Sequence, residues 1–176
     1  MTCTQPSADM IQSVAARLHR LEAVLGAQNT LARYMTLCDH PCPDRAFPQL
    51  ADLFTADAVW EGVGPLYAGK FGRHVGPAAI VAFVGTYLPP SPHFKRNFHF
   101  LTSAQATVAD DGASARGQWL MLQLSTYGAG GSEAITARLD VDFRPGPDGR
   151  WLIAHFRTER MECLPWNDVT GQEQAA

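Results

Sequence analysis

The sequence predicts an α+β domain in which helices from the first half pack against an antiparallel sheet from the second half, the sheet wrapping around the helices. Two observations carry this. Apolar residues recur at three- and four-residue steps early in the chain, and from about residue 97 the pattern becomes long alternating runs separated by Gly, Asp and Pro turns. Length supplies a third. At 176 residues, 46% hydrophobic and 18% charged, the chain can bury one good core and is short for two. A single domain over residues 1–176 is expected, with its core from about 10 to 166.

The first element is a long helix, or two, from Ile11 to Cys38. Val14, Leu18, Leu21 and Leu25, then Leu31, Tyr34 and Leu37, fall on one stripe, with Gly26 as a possible break. His40-Pro41-Cys42-Pro43 stops it, and Asp44 is placed to cap a second helix carrying Phe47, Leu50, Leu53 and Phe54. A short strand is expected at Ala58 to Val63. Gly76-Pro77 opens a third helix through Ile80, Phe83, Val84 and Tyr87, with Pro at the favoured first position, and Pro89-Pro90-Ser91-Pro92 ends it.

Four strands follow as a meander: Asn97 to Ala109, Ala115 to Tyr127, Glu133 to Phe143 and Trp151 to Cys163. Asp110-Asp111-Gly112, Gly128 to Ser132 and Gly146 to Gly149 form the turns. The second of these strands is apolar on both alternating sets, Trp119 and Met121 against Leu120, Leu122 and Leu124. Both faces are therefore expected to be covered, one by the core and the other by a second subunit or by the fold itself. A homo-oligomer, dimer or trimer, is the preferred reading.

A net charge of −3 with scattered Lys and Arg offers no stripe for a phosphate backbone, which argues against nucleic acid. Without a leader-like N-terminus or a membrane-length apolar run, a soluble cytoplasmic protein is expected, and with it reduced thiols at Cys3, Cys38, Cys42 and Cys163. Cys38-Asp39-His40-Pro41-Cys42 holds metal-ligand types but lacks a second ligand pair, and the glycines Gly62, Gly64, Gly69 and Gly72 fit no nucleotide-binding fingerprint.

Four polar residues sit in apolar neighbourhoods where an unpaired charge is costly: Tyr34 and Asp39 at the end of the first helix, His99 near the start of a strand, and Arg160 in the last strand. Strand alternation puts Arg160 on one face with Leu152, Ala154 and Phe156, and His155 on the other. One shared pocket is the functional reading. A core histidine, a packed tyrosine, a helix-end aspartate and a structural Asp39–Arg160 ion pair make the bland alternative.

With Tyr34 and Asp39 on the helix, then LADLFTADAVWEG, a Gly-Pro helix, a His-initiated strand and a final DGRWLIAHFR strand, the chain resembles the SnoaL-like group of the nuclear transport factor 2-like superfamily over roughly Val14 to Trp166. The resemblance implies a cystatin-like cone, a curved antiparallel sheet closing on helices around an apolar pocket. Within the group the pattern is most similar to cofactor-independent dehydratases, bile acid 7α-dehydratase and more distantly scytalone dehydratase. It implies catalytic roles for Tyr34, Asp39, His99 and Arg160. Where the bile acid enzyme pairs a second aspartate with its histidine, RGQWLMLQ supplies Gln123, which can orient His99 without adding negative charge.

Dehydration needs a base for the proton, an acid for the leaving oxygen and donors for developing negative charge. His99 can serve as base and then acid, Asp39 as its partner, Tyr34 as donor and Arg160 as oxyanion holder, without metal or organic cofactor. Trp60, Phe83, Tyr87, Phe94, Trp119, Met121 and Gln123, with Leu164 and Trp166 in the tail, are the expected walls around a flat apolar or aromatic small molecule. The leading expectation is a lyase that removes water from a hydroxylated aromatic or polycyclic substrate. A close variant is a diarylpropane lyase that releases water and formaldehyde to give a stilbene. From another class come a noncatalytic binding protein and a dioxygenase-type small subunit, which share this fold.

Overall fold

The computed structural model describes residues 7–39 and 46–166. In chain order the elements are α1 (Ala8–Asp39), α2 (Ala46–Ala51), β1 (Phe54–Val63), α3 (Gly64–Phe71), β2 (Arg73–Val75), α4 (Pro77–Gly85), β3 (Phe94–Val108), β4 (Ala115–Tyr127), β5 (Ser132–Pro145) and β6 (Trp151–Pro165). The described strands form one sheet in the order β2-β1-β6-β5-β4-β3. β3 to β6 are an antiparallel meander, as their turn chemistry predicts, while β1 joins β6 in parallel. The sheet is curved and unclosed and packs its concave side on the helices, so the predicted α+β architecture holds.

The core lies where that concave face meets the C-terminal half of α1. Leu31, Leu50, Ile80, Leu139, Val141, Phe143 and Ile153 are fully enclosed. On β5, odd-numbered residues from Ile135 to Phe143 point inward and even-numbered ones point out, the period-two signature of a sheet with one buried face. Pro77 starts α4 behind Gly76, as expected, although the helix ends at Gly85 rather than near Tyr87.

Several expectations need correction. The α1 stripe is buried only in its second half: Leu31 and Tyr34 enter the core, whereas Val14, Leu18, Leu21 and Leu25 are more than half exposed. Periodicity identifies a helix with an apolar face but not what meets that face. Gly26 breaks nothing. α1 runs straight through it, and a Cβ there would stand 2.6 Å from the Trp151 ring, so the glycine admits that indole against the helix. The outer face of β4 is open in this chain: Leu120 is exposed and Leu122 and Leu124 are half-buried, which removes the reading of a strand covered on both sides by its own fold.

A second correction concerns β6. Its pairing with β5 slips between Asp142/Phe143 and again between Thr136/Ala137, so strict alternation fails. Arg160 shares the inner face with Thr158, Phe156 and, across the first bulge, Ile153; Leu152 and Ala154 are only half-buried. α3 and β2 were not expected either. The glycines around them are read only against a nucleotide-binding fingerprint, yet Gly64-Pro65 carries the same Pro-at-the-start signal as Gly76-Pro77. The helix stop at His40 to Pro43, the Asp44 cap, Cys3, Cys42 and the Phe47 side chain lie outside the described residues. Cys38 and Cys163 are free thiols.

Candidate active site

The end of α1 and the edge strand β3 build the first half of the site together. An edge strand leaves every second N–H without a ladder partner. At His99 that N–H donates to Asp39 Oδ2 at 3.1 Å, and His99 Nδ1 lies 2.5 Å from Asp39 Oδ1. One carboxylate thus holds both the backbone and the ring. With Nδ1–H donating to Asp39, the ring is fixed in the tautomer whose Nε2 carries a lone pair. Both side chains are almost enclosed, at 11% and 13% exposure, so the pair is shielded from water.

Tyr34 lies just over one turn before Asp39 and faces the sheet. Its hydroxyl accepts a hydrogen bond from Trp60 Nε1 at 3.0 Å and points its own proton at the Cys38 sulfur, a weak acceptor that a substrate oxygen can replace. Burial, reinforced by the neighbouring Cys38, raises the Tyr34 hydroxyl well above the ordinary tyrosine range, so it remains a donor throughout neutral and mildly alkaline pH. The Cys38 thiol, one turn on, is pushed up to about 12 by burial. Against an ordinary thiol, that lowers the thiolate fraction on the order of a thousandfold. In the native protein Cys38 should therefore resist iodoacetamide at pH 8 while reacting readily in urea, and mass mapping of the alkylated peptides checks this.

These groups open into a cavity of about 140 Å³. Its aromatic wall comes from β1, α3, α4 with the turn after it, and β6. Trp60 stacks on Phe156 with centroids 5.4 Å apart and leans on Phe83 at 4.9 Å, while Phe83 meets Tyr87 edge-on at 5.6 Å. Met121, Phe94 and His93 complete the lining toward β3 and β4, and burial together with the nearby Lys70 charge holds the His93 imidazole below its ordinary range.

The far side of the cavity is polar. Arg160 lines it, and its Nε is buried without a hydrogen-bond partner. Glu133 lies nearby, and a 2.6 Å hydrogen bond from the Tyr127 hydroxyl pulls its carboxyl below the usual range against the opposing effect of burial. Its ionised form partly balances Arg160 and Lys70. The Cys163 thiol is raised, chiefly by burial.

Of the residues expected to react, Tyr34, His99 and Arg160 line one cavity, and Asp39 stands behind His99. The suggested Asp39–Arg160 ion pair does not form; Asp39 serves His99 instead. Gln123 lines the cavity but does not orient His99. Its amide donates to Asn97 Oδ1 and Ser125 Oγ, both at 2.9 Å, and Ser125 closes the triangle on Asn97 at 2.8 Å. Trp60, Phe83, Tyr87, Phe94 and Met121 are in the wall. Trp119 is not: it packs in the core edge-on to Phe143, and Trp166 and Leu164 stand at the surface. His155, on the outer face, pairs with Glu61 at 2.6 Å and with Arg157.

Sequence reasoning missed Asn97, Tyr67, Lys70, Tyr127, Glu133 and Thr158. Parity could have found three of them, since the odd positions on β4 and β5 that carry Met121 and Ile135 inward also carry Tyr127 and Glu133, and Asn97 is two residues from His99.

A family model for the SnoaL-like domain matches residues 19–157. A search of curated proteins finds no significant match. Among solved structures, the chain is similar to a hexachlorocyclohexane dehydrochlorinase, LinA-type3 from Novosphingobium barchaimii, at 19% identity with a TM-score of 0.70, over 87% of this chain and 96% of that one. An NTF2-like protein with a cystatin-like fold from Novosphingobium aromaticivorans superposes at 24% identity and 0.68, over 89% and 93%. A scytalone dehydratase-like protein from the same organism gives 13% and 0.65, over 88% and 92%. At such identities the superpositions establish the fold, and the family match covers most of the sequence. The chain belongs to the SnoaL-like domain family, built on the cystatin-like cone.

Proposed function

We propose that this protein is a cofactor-independent lyase that eliminates water from a hydroxylated, largely apolar aromatic or polycyclic substrate. The observation that carries the reading is the His99–Asp39 pair, enclosed and bonded through Nδ1, on a ring that lines an aromatic cavity. His99 Nε2 takes the proton from carbon, the C–O bond breaks, and the His99 imidazolium returns that proton to the departing oxygen, which leaves as water and restores the neutral ring. Asp39 offsets the charge on the imidazolium. Tyr34 donates to a substrate oxygen, and the unpartnered Arg160 Nε is suited to an oxygen that gains charge in the transition state. Trp60, Phe83, Tyr87, Phe94 and Met121 would hold the apolar body, with Gln123 at the polar margin.

The names of the structural relatives, a dehydrochlorinase and a scytalone dehydratase-like protein, both denote eliminations, which supports reaction type rather than substrate. The diarylpropane variant, with loss of water and formaldehyde, uses the same acid and base.

Mass spectrometry of reactions run with a chelator present, on hydroxysteroids, hydroxylated polyketides and diarylpropane diols, tests the proposal against a His99→Ala control. Loss of 18 mass units, or of water plus formaldehyde, by the wild type alone is the expected result (about 18 and 48 mass units respectively for the neutral losses). Tight binding of panel members without turnover would overturn it in favour of a binding protein.

A further inference from the structure

We propose that the N-terminal half of α1 pairs with the same segment of a second copy of this chain as a short parallel two-stranded coiled coil. Residues 8–22 of this helix are exposed on every side, so the segment projects from the body before Ala23 makes the first buried contact. A helix of this length is marginal in water on its own. Yet its apolar residues are not scattered. Ile11, Val14, Leu18, Leu21 and Leu25 alternate steps of three and four, two and a half heptads of the a/d pattern, and each is 53–62% exposed.

The direction of this seam fits a second copy. At 100° per residue, Leu25 lies about 160° around the helix from Ala23. The residues that anchor α1 to its own body, Ala23, Ala27 and Leu31, thus face away from the seam. Two chains joined along it would carry their bodies on opposite outer sides, without collision. The seam is also distinct from the open outer face of β4, which lies on the sheet.

Charge fixes the partner and the orientation. With Ile11, Leu18 and Leu25 at a and Val14 and Leu21 at d, Arg17 falls at g and Glu22 at the following e. In a parallel pair, g of one chain meets the next e of the other, so Arg17 and Glu22 form two symmetry-related ion pairs across the seam. An antiparallel pair would set g against g and lose both. Elsewhere on the segment, Arg20 pairs with Asp110 of the β3–β4 turn at 3.0 Å, on the flank rather than at the seam.

Sedimentation velocity of the full chain over a concentration series, with Leu18→Glu/Leu21→Glu alongside, is the primary test. The wild type is expected at twice the chain mass or a multiple of it, and the double variant at half the wild-type mass with an unchanged thermal transition of the body. Equal masses for the two proteins, whether monomer or larger, would overturn the proposal. Arg17→Glu should raise the dimer dissociation constant about threefold to tenfold, and Arg17→Glu/Glu22→Arg should restore it. Restoration by the swap supports the parallel register, and its failure overturns it. Mild oxidation should link Leu18→Cys chains to each other beyond the wild-type background and leave Ala16→Cys chains unlinked; the reverse result also counts against the seam.

Discussion

Replacing His99 by Ala should lower turnover by about 100- to 10,000-fold, the range supplied by a positioned acid–base group, and should do so in kcat rather than KM. The apolar wall that holds the substrate comes from Trp60, Phe83, Tyr87 and Phe156, none of which depends on the imidazole for its packing. The fold should also survive. His99 is two residues from Asn97 on a strand whose ladder with β4 runs from Phe94 to Val108, and the His99 backbone N–H keeps its Asp39 acceptor when the ring is gone. Steady-state kinetics on the substrate found in the elimination panel, together with thermal unfolding, checks both halves. A variant that keeps near-wild-type kcat would remove His99 from the chemistry.

The second large effect is expected at Asp39, a positioning residue that acts through His99. Asp39→Asn keeps the size of the side chain and an acceptor for the His99 N–H, but an amide can meet Nδ1 either as acceptor or as donor. Where it donates, Nδ1 holds the lone pair and Nε2 carries the proton, so the cavity-facing nitrogen no longer serves as base. A wrong-tautomer change of this kind in a hydrolase triad costs about ten-thousandfold in kcat, and a loss of similar order is expected here with KM little altered. Nitrogen-15 NMR of the His99 ring distinguishes this from a structural defect: the wild type should show Nδ1 protonated, and Asp39→Asn should show the other tautomer. An unchanged tautomer with full activity would reduce Asp39 to a helix-end residue that ties α1 to the edge of β3.

The polar far wall carries a pH signature of its own. Because the Tyr127 hydrogen bond holds the Glu133 carboxyl below its ordinary value, ionised Glu133 stabilises the fold above about pH 4.5, and that contribution fades as pH falls through the lowered folded value. For Tyr34 the sign is opposite: its raised value means that stability is intact below about pH 10 and erodes above it. Neutral pH lies between these windows, where Tyr34 can donate and Glu133 can balance Arg160.

What the sequence legibly carries is what depends on neighbours in the chain. The β4 strand, Ala115–Tyr127, is readable to the residue because turn chemistry bounds it at both ends and an apolar run fills its middle. α1 was readable as a helix from its three- and four-residue steps, and so was the gathering of Tyr34, His99 and Arg160 around one cavity, since apolar surroundings make isolated polar groups expensive. Tertiary structure decided everything that depends on what lies opposite. It determined that Leu18 and Leu21 face outward while Leu31 is enclosed, because a helix pattern marks an apolar face without specifying its cover. It gave Asp39 to His99 rather than to Arg160, because an unpaired edge N–H and ring nitrogen lie within reach of the helix end. The bulge of β6 between Ile153 and His155, set by register against β5, took Leu152 and Ala154 off the inner face that alternation gives to Phe156, Thr158 and Arg160. Local periodicity fixes elements and their faces, whereas pairing, register and partners are long-range choices made when the sheet curls around the helices.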